Sequence, residues 1–300
     1  MSEVGRRCGF VAILGAPNAG KSTLVNRLVG SKISIVSSKV QTTRSRVLGI
    51  VAVHDAQVIL IDTPGIFEPR QRLERAMVRA AWGGAGDADL VALVVDARAG
   101  VTDEVAAIVD RLRLSSRRAI LLLNKIDLVR REILLGLAAQ LNDRGRFDET
   151  FMISAANGDG TLDFLNSCAA QLPLDAWHFP EDQLSDMPER ILATEITREQ
   201  LFIRLHQELP YAVLVECDRW EERADGSCRI DQTITVRRDT QKAIVLGKGG
   251  AQIKAIGAAA RLEMQKLLDR PVHLFLFVKV REDWPDDRQR YAELGLDFDA

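Results

Sequence analysis

Gly15-Ala16-Pro17-Asn18-Ala19-Gly20-Lys21-Ser22-Thr23 follows directly on the apolar run Phe10–Leu14 and precedes an amphipathic stretch, Lys21–Val29. A strand feeding a glycine-rich turn that opens a helix aims several backbone N–H groups, and the positive end of the helix, at one point. That is a cradle for phosphate. Lys21 would then reach β- and γ-phosphates, and the Ser22 hydroxyl would ligate Mg²⁺. Without the flanking strand and helix, the same string would be no more than a turn.

Three more strand ends carry matching chemistry. Asp62-Thr63-Pro64-Gly65 closes the run Val58–Ile61. It puts a carboxylate beside the Mg²⁺ position and leaves a backbone N–H, at Gly65, able to approach a γ-phosphate. Asn124-Lys125-Ile126-Asp127 closes Ile120–Leu123. A carboxylate at Asp127 accepts two hydrogen bonds from the ring N–H and exocyclic amine of guanine, whereas adenine would leave it desolvated and unpaired. Lys125 can cover the ring with its stem, and Asn124 can tie loops together. Ser154-Ala155-Ala156, at the end of Thr150–Ile153, supplies a backbone N–H for the guanine carbonyl. Open α/β sheets bind ligands at the carboxyl ends of their strands, so four such elements in order imply a GTP/GDP site and disfavour ATP.

The elements that hold these loops alternate. Phe10–Leu14, Val47–Val53, Val58–Ile61, Leu90–Val95, Ala119–Leu123 and Thr150–Ile153 read as strands. Lys21–Val29, Asp103–Leu112, Arg131–Leu141 and Thr161–Leu172 read as helices. That order predicts an α/β doubly wound sheet. Four residues, His54 to Gln57, are too few for a crossover helix, so Val47–Val53 and Val58–Ile61 should pair antiparallel within a mainly parallel sheet. With 300 residues, two domains are the better expectation. Pro173 to Pro188 is proline-rich and aperiodic and reads as a linker, dividing 1–172 from 189–300.

Beyond it the expected order is a helix (Glu189–Gln207), two strands (Tyr211–Trp220 and Arg229–Arg237), a glycine-rich loop, a helix to Asp269 and a strand (Val272–Val280). Gly247-Lys248-Gly249-Gly250 is a G-x-x-G loop with Gln252, Ile253 and Lys254 opening the helix after it. Such a loop lets a nucleic-acid backbone pass close by while unstacked bases are read in an adjoining groove. Arg229 to Lys279 holds ten basic and four acidic residues, and Glu282 to Ala300 reverses the sign, although the whole chain has a net charge of −2. A basic segment inside an acidic chain suggests one RNA-facing surface, with Lys248 and Lys254 nearest the loop.

The combination GAPNAGKST, QTTR, DTPG, NKID and SAA resembles translation-factor-type GTPases, and GKGGAQIKAIG with the ending YAELGLD closely resembles the Era family. The resemblance spans Cys8 to Asp297. It implies a P-loop GTPase domain of mixed doubly wound sheet followed by a smaller α+β type II KH domain, in which Gln241–Leu246 is a short helix. It also implies binding of the 3′ end of small-subunit (16S) ribosomal RNA and a part in maturing the 30S subunit. The first switch would be Ile33–Arg46, with Gln41-Thr42-Thr43-Arg44 as effector motif and Thr43, or else Thr42, on Mg²⁺. The second would run from Gly65 to about Gly86, with Gly83-Gly84-Ala85-Gly86 as its moving part. Lys21, Thr43 and Gly65 would be the catalytic groups. Ile66 stands where Ras-type enzymes place a water-orienting glutamine, which implies slow hydrolysis. Asn18 would help bind K⁺.

Remaining features point to ordinary roles. Cys8, Cys168, Cys217 and Cys228 have no C-x-x-C spacing and read as reduced thiols; Cys217 and Cys228 flank a turn at Asp225-Gly226 and are expected near each other without a disulfide. Four scattered histidines show no metal spacing. The Arg6-Arg7 start and the apolar residues after it fit a first strand better than a secretory signal. No stretch reaches the roughly 18 apolar residues of a membrane span. A cytoplasmic monomer is expected, with peripheral contact at the inner face of the membrane left open.

Overall fold

The computed structural model describes residues 5–37, 39, 42–115, 117, 119–205, 213–284 and 287–300. Gln41 of the effector motif, the expected helix end at 206–207 and the strand start at 211–212 lie outside the described residues. The chain divides into two compact units. One takes Met1–Ser34, Thr43–Asp186 and Leu294–Ala300, the other Ile35–Thr42 and Met187–Glu293.

In the first unit, β1 (Arg7–Leu14), β2 (Val47–Val53), β3 (Ala56–Asp62), β4 (Leu90–Asp96), β5 (Ala119–Asn124) and β6 (Glu149–Met152) form one sheet in the order β2-β3-β1-β4-β5-β6. The described pairs are parallel except β2–β3, the antiparallel hairpin demanded by the short connection. Strand order reverses at β1, so the loop after β1 sits at the topological switch point, where such sheets bind ligands. Apolar runs in β3, β4 and β5 are buried along their length because helices cover both faces. Those helices are α1 (Lys21–Val29), α2 (Arg72–Asp87), α3 (Asp103–Leu114), α4 (Arg131–Arg144) and α5 (Thr161–Gln171). Gly49 lets α1 approach β2: a Cβ there would meet Val25, Ile33 and Val29 side chains within 2.8–2.9 Å.

Two expectations need correction. Gly83-Gly84-Ala85-Gly86 is the last part of α2, not a flexible segment. A helical glycine costs about 1 kcal/mol relative to alanine, but tertiary packing outweighs that here. Gly84 and Ala85 are buried, and a Cβ on Gly84 would touch Ile61 Cγ2 at 3.4 Å and Thr63 Cγ2 at 3.6 Å, so small residues seat the helix against β3. The segment from Pro173 belongs to the first unit as far as Asp186. Pro173 O accepts from Cys8 N (3.2 Å), Leu184 O from Ile50 N (2.9 Å) and Asp186 Oδ1 from Leu48 N (3.1 Å). It lacks periodicity because strand backbones order it, not a repeat of its own. The final seven residues also lie in this unit: Leu296 is buried, Asp297 pairs with Arg79 (3.1 Å), and Arg72 stacks over Phe298 (4.4 Å).

The second unit is α6 (Glu189–Arg204), β7 (Leu214–Glu222), β8 (Cys228–Val236), α7 (Asp239–Leu246), α8 (Ala251–Leu268), β9 (Val272–Val280) and α9 (Arg288–Glu293). Its sheet runs β7-β8-β9, antiparallel then parallel. Gln241–Leu246, strand-like in composition, lies in the helix α7. Helices cover one sheet face, with Leu201, Ile234, Val245 and Ile256 in the core between. A bulge between Cys217 and Arg219 shifts the hairpin register, so Cys217 faces Gln232 and Cys228 faces Glu222. The two thiols are therefore not partners, and all four cysteines are free.

Candidate functional site

The loop after β1 is shaped by its glycines. Gly20 has φ 98°, and a Cβ there would lie 2.3 Å from Asn124 Nδ2. Only glycine lets the first turn of α1 come so near β5. Asn124, 1% exposed, exploits that approach: Nδ2 donates to Ala19 O (2.8 Å) and Oδ1 accepts from Ala155 N (2.9 Å). One side chain thus fastens the phosphate loop to the Ser154-Ala155-Ala156 loop. Asn18 takes φ 60°, which a short polar side chain tolerates better than most.

Lys21 is almost wholly buried and donates to Gly15 O (3.1 Å) and Ala16 O (3.0 Å). Burial pulls its pKa down to about 8, against a smaller upward pull from Asp62. Asp62, fully buried at the tip of β3, is pushed the other way: burial raises its pKa, opposed by the nearby Ser22, Lys21, Ser34 and Thr43. Those hydroxyls approach the carboxylate, yet neither of its oxygens accepts a hydrogen bond of ordinary geometry. Ser22 Oγ and Thr43 Oγ1 lie 2.9 Å apart. A buried carboxylate with two unpartnered oxygens beside two hydroxyls is a hard-oxygen donor set suited to Mg²⁺. Thr42 belongs to the other unit, where its Oγ1 donates to Lys39 O (2.7 Å) and its carbonyl accepts from Arg198.

Thr63 Oγ1 donates to Ile13 O (2.7 Å). A Cβ on Gly65 would meet Pro17 atoms at 3.0 Å, so glycine lets this loop lie against the phosphate loop. Ile66 N–H donates to Gly15 O (3.1 Å), and the Ile66 side chain is buried in the core cluster.

At the base end, Ser154 Oγ donates to Asp127 Oδ1 (2.6 Å), orienting that carboxylate. Lys125, at φ 66°, donates to Asn18 O (2.6 Å) and Asp96 Oδ2 (2.7 Å). Asp96 is the residue that sequence reasoning missed. It ends β4 directly opposite Asn124 on β5, and only that register reveals its task of holding the lysine. Arg27 likewise escaped notice; it donates to the carbonyls of Ala155 and Ala156. Ala155 N–H is already taken by Asn124, so Ala156 N–H is the better placed backbone donor to a base.

In the second unit, Gly247, Gly249 and Gly250 all have positive φ (69°, 61° and 77°). A Cβ on Gly247 would stand 2.6 Å from Gln252 Cβ, whereas one on Gly249 would meet open space. Lys248 and Lys254 are exposed around this loop. Gln252 Nε2 donates to Arg204 O (3.1 Å), and Ile253 packs half-buried against the core, so both brace the start of α8.

Residues 10–125 match a family described as 50S ribosome-binding GTPase, and residues 208–285 match the KH domain. GTPase Era of Rhizobium meliloti is 60% identical over 292 residues, 97% of this chain and 93% of that protein. GTPase Era of Agrobacterium fabrum is 59% identical over 97% of this chain and 92% of its own length. A crystal structure of an Aquifex aeolicus Era variant bound to GDP.AlF4- matches at 35% identity and TM-score 0.91, covering 96% of this chain and 99% of the other. Another, of Era with MgGDPNP and nucleotides 1506–1542 of 16S ribosomal RNA, matches at 35% identity and TM-score 0.92, covering 97% and 99%.

Proposed function

The chain belongs to the Era family of GTPases, and on that premise we propose that it hydrolyses GTP to GDP and phosphate while binding the 3′ end of 16S ribosomal RNA during 30S assembly. The observation that carries the chemistry is the buried Asp62 carboxylate, without hydrogen-bond partners, beside Ser22, Thr43 and Lys21. Ser22, Thr43 and Asp62 would hold Mg²⁺, which would supply positive charge against the β- and γ-phosphates. Lys21 turns from the loop carbonyls to the phosphate oxygens, and the Gly65 N–H meets the γ-phosphate. Asp127 selects guanine, Lys125 covers it, and Ala156 N–H reads its carbonyl. Gly15 to Thr23 wrap the phosphates, and Asn18 would offer its side chain to K⁺.

No side chain at position 66 reaches the attacking water, because Ile66 points into the core. Hydrolysis is therefore slow until a partner completes the site. Lys248, Lys254 and the glycine loop take the RNA backbone. The functional division falls within the segment 173–188, after Asp186, with the GTP-binding domain before it and the KH domain from Met187 to Glu293. The protein acts as a cytoplasmic monomer; no helix among the described residues is long and apolar enough to cross a membrane. The test is single-turnover hydrolysis with and without the RNA. A rise on adding RNA, competed by GTP and not by ATP, is expected; identical rates would remove the link between the two domains.

A further inference from the structure

β9 has two unlike faces. Leu274, Leu276, Val278 and Val280 point inward to the core, where Gly257 brings α8 within 3.4 Å of Leu276, measured from a Cβ built on the glycine. Phe275 and Phe277 point outward and are 43% and 56% exposed. Single exposed apolar residues are common on any protein. Two phenylalanines at i and i+2 on the same face of an edge strand are a different matter, because such an edge invites unwanted association. They stand about 6.8 Å apart along the strand, room for one base on each ring. Arg229, which pairs with His273 one step along the same face of β8, already stacks on Phe275 at 4.7 Å, so its guanidinium backs one ring. His273 and Lys279 are exposed at either end of the pair.

We propose that the outward face of β9, centred on Phe275 and Phe277, is a stacking platform for unpaired RNA bases, separate from the glycine-loop groove. The inference rests on the RNA-binding reading above. Continuity favours RNA as the occupant: α7 and α8, which flank the Gly247–Gly250 loop, both pack against β9, so a strand leaving the loop meets this edge next. The chemistry is stacking and not phosphate attraction, since Asp231 pairs with Arg229 at 3.0 Å and offsets its charge. Aromatic side chains on an open sheet hold single-stranded bases in this way elsewhere.

The test uses the full chain loaded with Mg²⁺ and GDPNP, with anisotropy of two RNAs. One is the 16S fragment 1506–1542 held by the solved relative; the other is a tetranucleotide long enough for the loop groove alone. Phe275→Ala with Phe277→Ala is expected to weaken the longer RNA roughly ten- to hundredfold, by the same factor at about 50 and 200 mM salt. The tetranucleotide should bind unchanged, and Phe275→Tyr with Phe277→Tyr should retain affinity for both. A change within twofold for the longer RNA overturns the platform, as does equal weakening of the tetranucleotide, whatever the variants do to self-association. Gly249→Asp separates the two readings. If it leaves the tetranucleotide bound, the loop groove falls, while a tenfold loss with the alanine pair still supports the platform.

Discussion

The nucleotide site and the RNA-facing loop both use glycine and lysine, but they use them in opposite surroundings. Gly20 is a glycine because Asn124 occupies the space a Cβ needs; Gly249 is one because its φ is 61° beside open space. Lys21 is buried, and Lys248 is exposed. A guanine and a triphosphate present fixed donors, acceptors and charge, so desolvated and preoriented partners discriminate best. An RNA backbone varies in path, and exposed charges with a close-approach loop follow it at the expense of discrimination. The nucleotide side should therefore respond to substitution by large, base-selective losses, and the RNA side by small, salt-dependent ones.

The largest expected effect is at Asp127. Asp127→Ala removes two charge-assisted hydrogen bonds to guanine, worth about 1.5–3 kcal/mol each, and also leaves Ser154 Oγ without its acceptor. GTP affinity should fall roughly a hundredfold or more by isothermal titration, with ADP and ATP binding no better. A loss below about tenfold would mean that the base is held mainly by Lys125 and the backbone, and the contrast with the RNA side would shrink.

How much of this was legible in the sequence follows from the same contrast. Motifs whose task is local read well: Gly20-Lys21-Ser22 opens a helix, and His54 to Gln57 is too short for anything but a hairpin. Tasks that depend on register did not. Asp96 is one aspartate among many until β4 and β5 pair it with Asn124 and bring Lys125 within 2.7 Å. Which N–H of Ser154-Ala155-Ala156 meets the base stayed open, because nothing in S-A-A says that Asn124 claims the one on Ala155. Gly83 to Gly86 looked mobile because composition does not show Ile61 and Thr63 beneath the helix. The final residues, read with the KH domain, lie with the first unit through contacts to Arg72 and Arg79 on α2 that no nearby sequence encodes.

Second in size is a matched pair of alanines. Gly20→Ala places a Cβ 2.3 Å from Asn124 Nδ2 at φ 98°, so the Asn124 bridge must break and the backbone must strain. Thermal unfolding should show a loss of about 2–4 kcal/mol, and GTP affinity should drop with it. Gly249→Ala meets nothing within 4 Å and pays only for φ 61°, about 1–2 kcal/mol. Equal losses at both positions would show that conformational strain alone, without packing, sets the cost.

Next comes salt. Lys248→Glu should weaken binding of the 16S 3′ fragment, and lessen the slope of log affinity against log salt by about one, without changing GTP affinity. An unchanged slope would place Lys248 off the RNA path.

The smallest change, and the one that bears most directly on why the two lysines differ, is in stability without nucleotide. Burial holds Lys21 at about 8, below its ordinary 10.5. The unfolded chain therefore binds its proton more tightly, and the charged form costs the folded state stability below about pH 8. That cost fades as pH rises from 8 toward 10.5, so nucleotide-free protein should gain stability across that window. Lys21→Met removes the penalty and should stabilise the nucleotide-free protein at pH 7 by about 1–3 kcal/mol, while abolishing the further stabilisation that GTP confers. Lys248→Met, at an exposed position, should change stability by less than about 0.5 kcal/mol at any pH. If Lys21→Met instead destabilises the protein, its bonds to the Gly15 and Ala16 carbonyls outweigh its desolvation, and the lysine braces the loop even before a phosphate arrives.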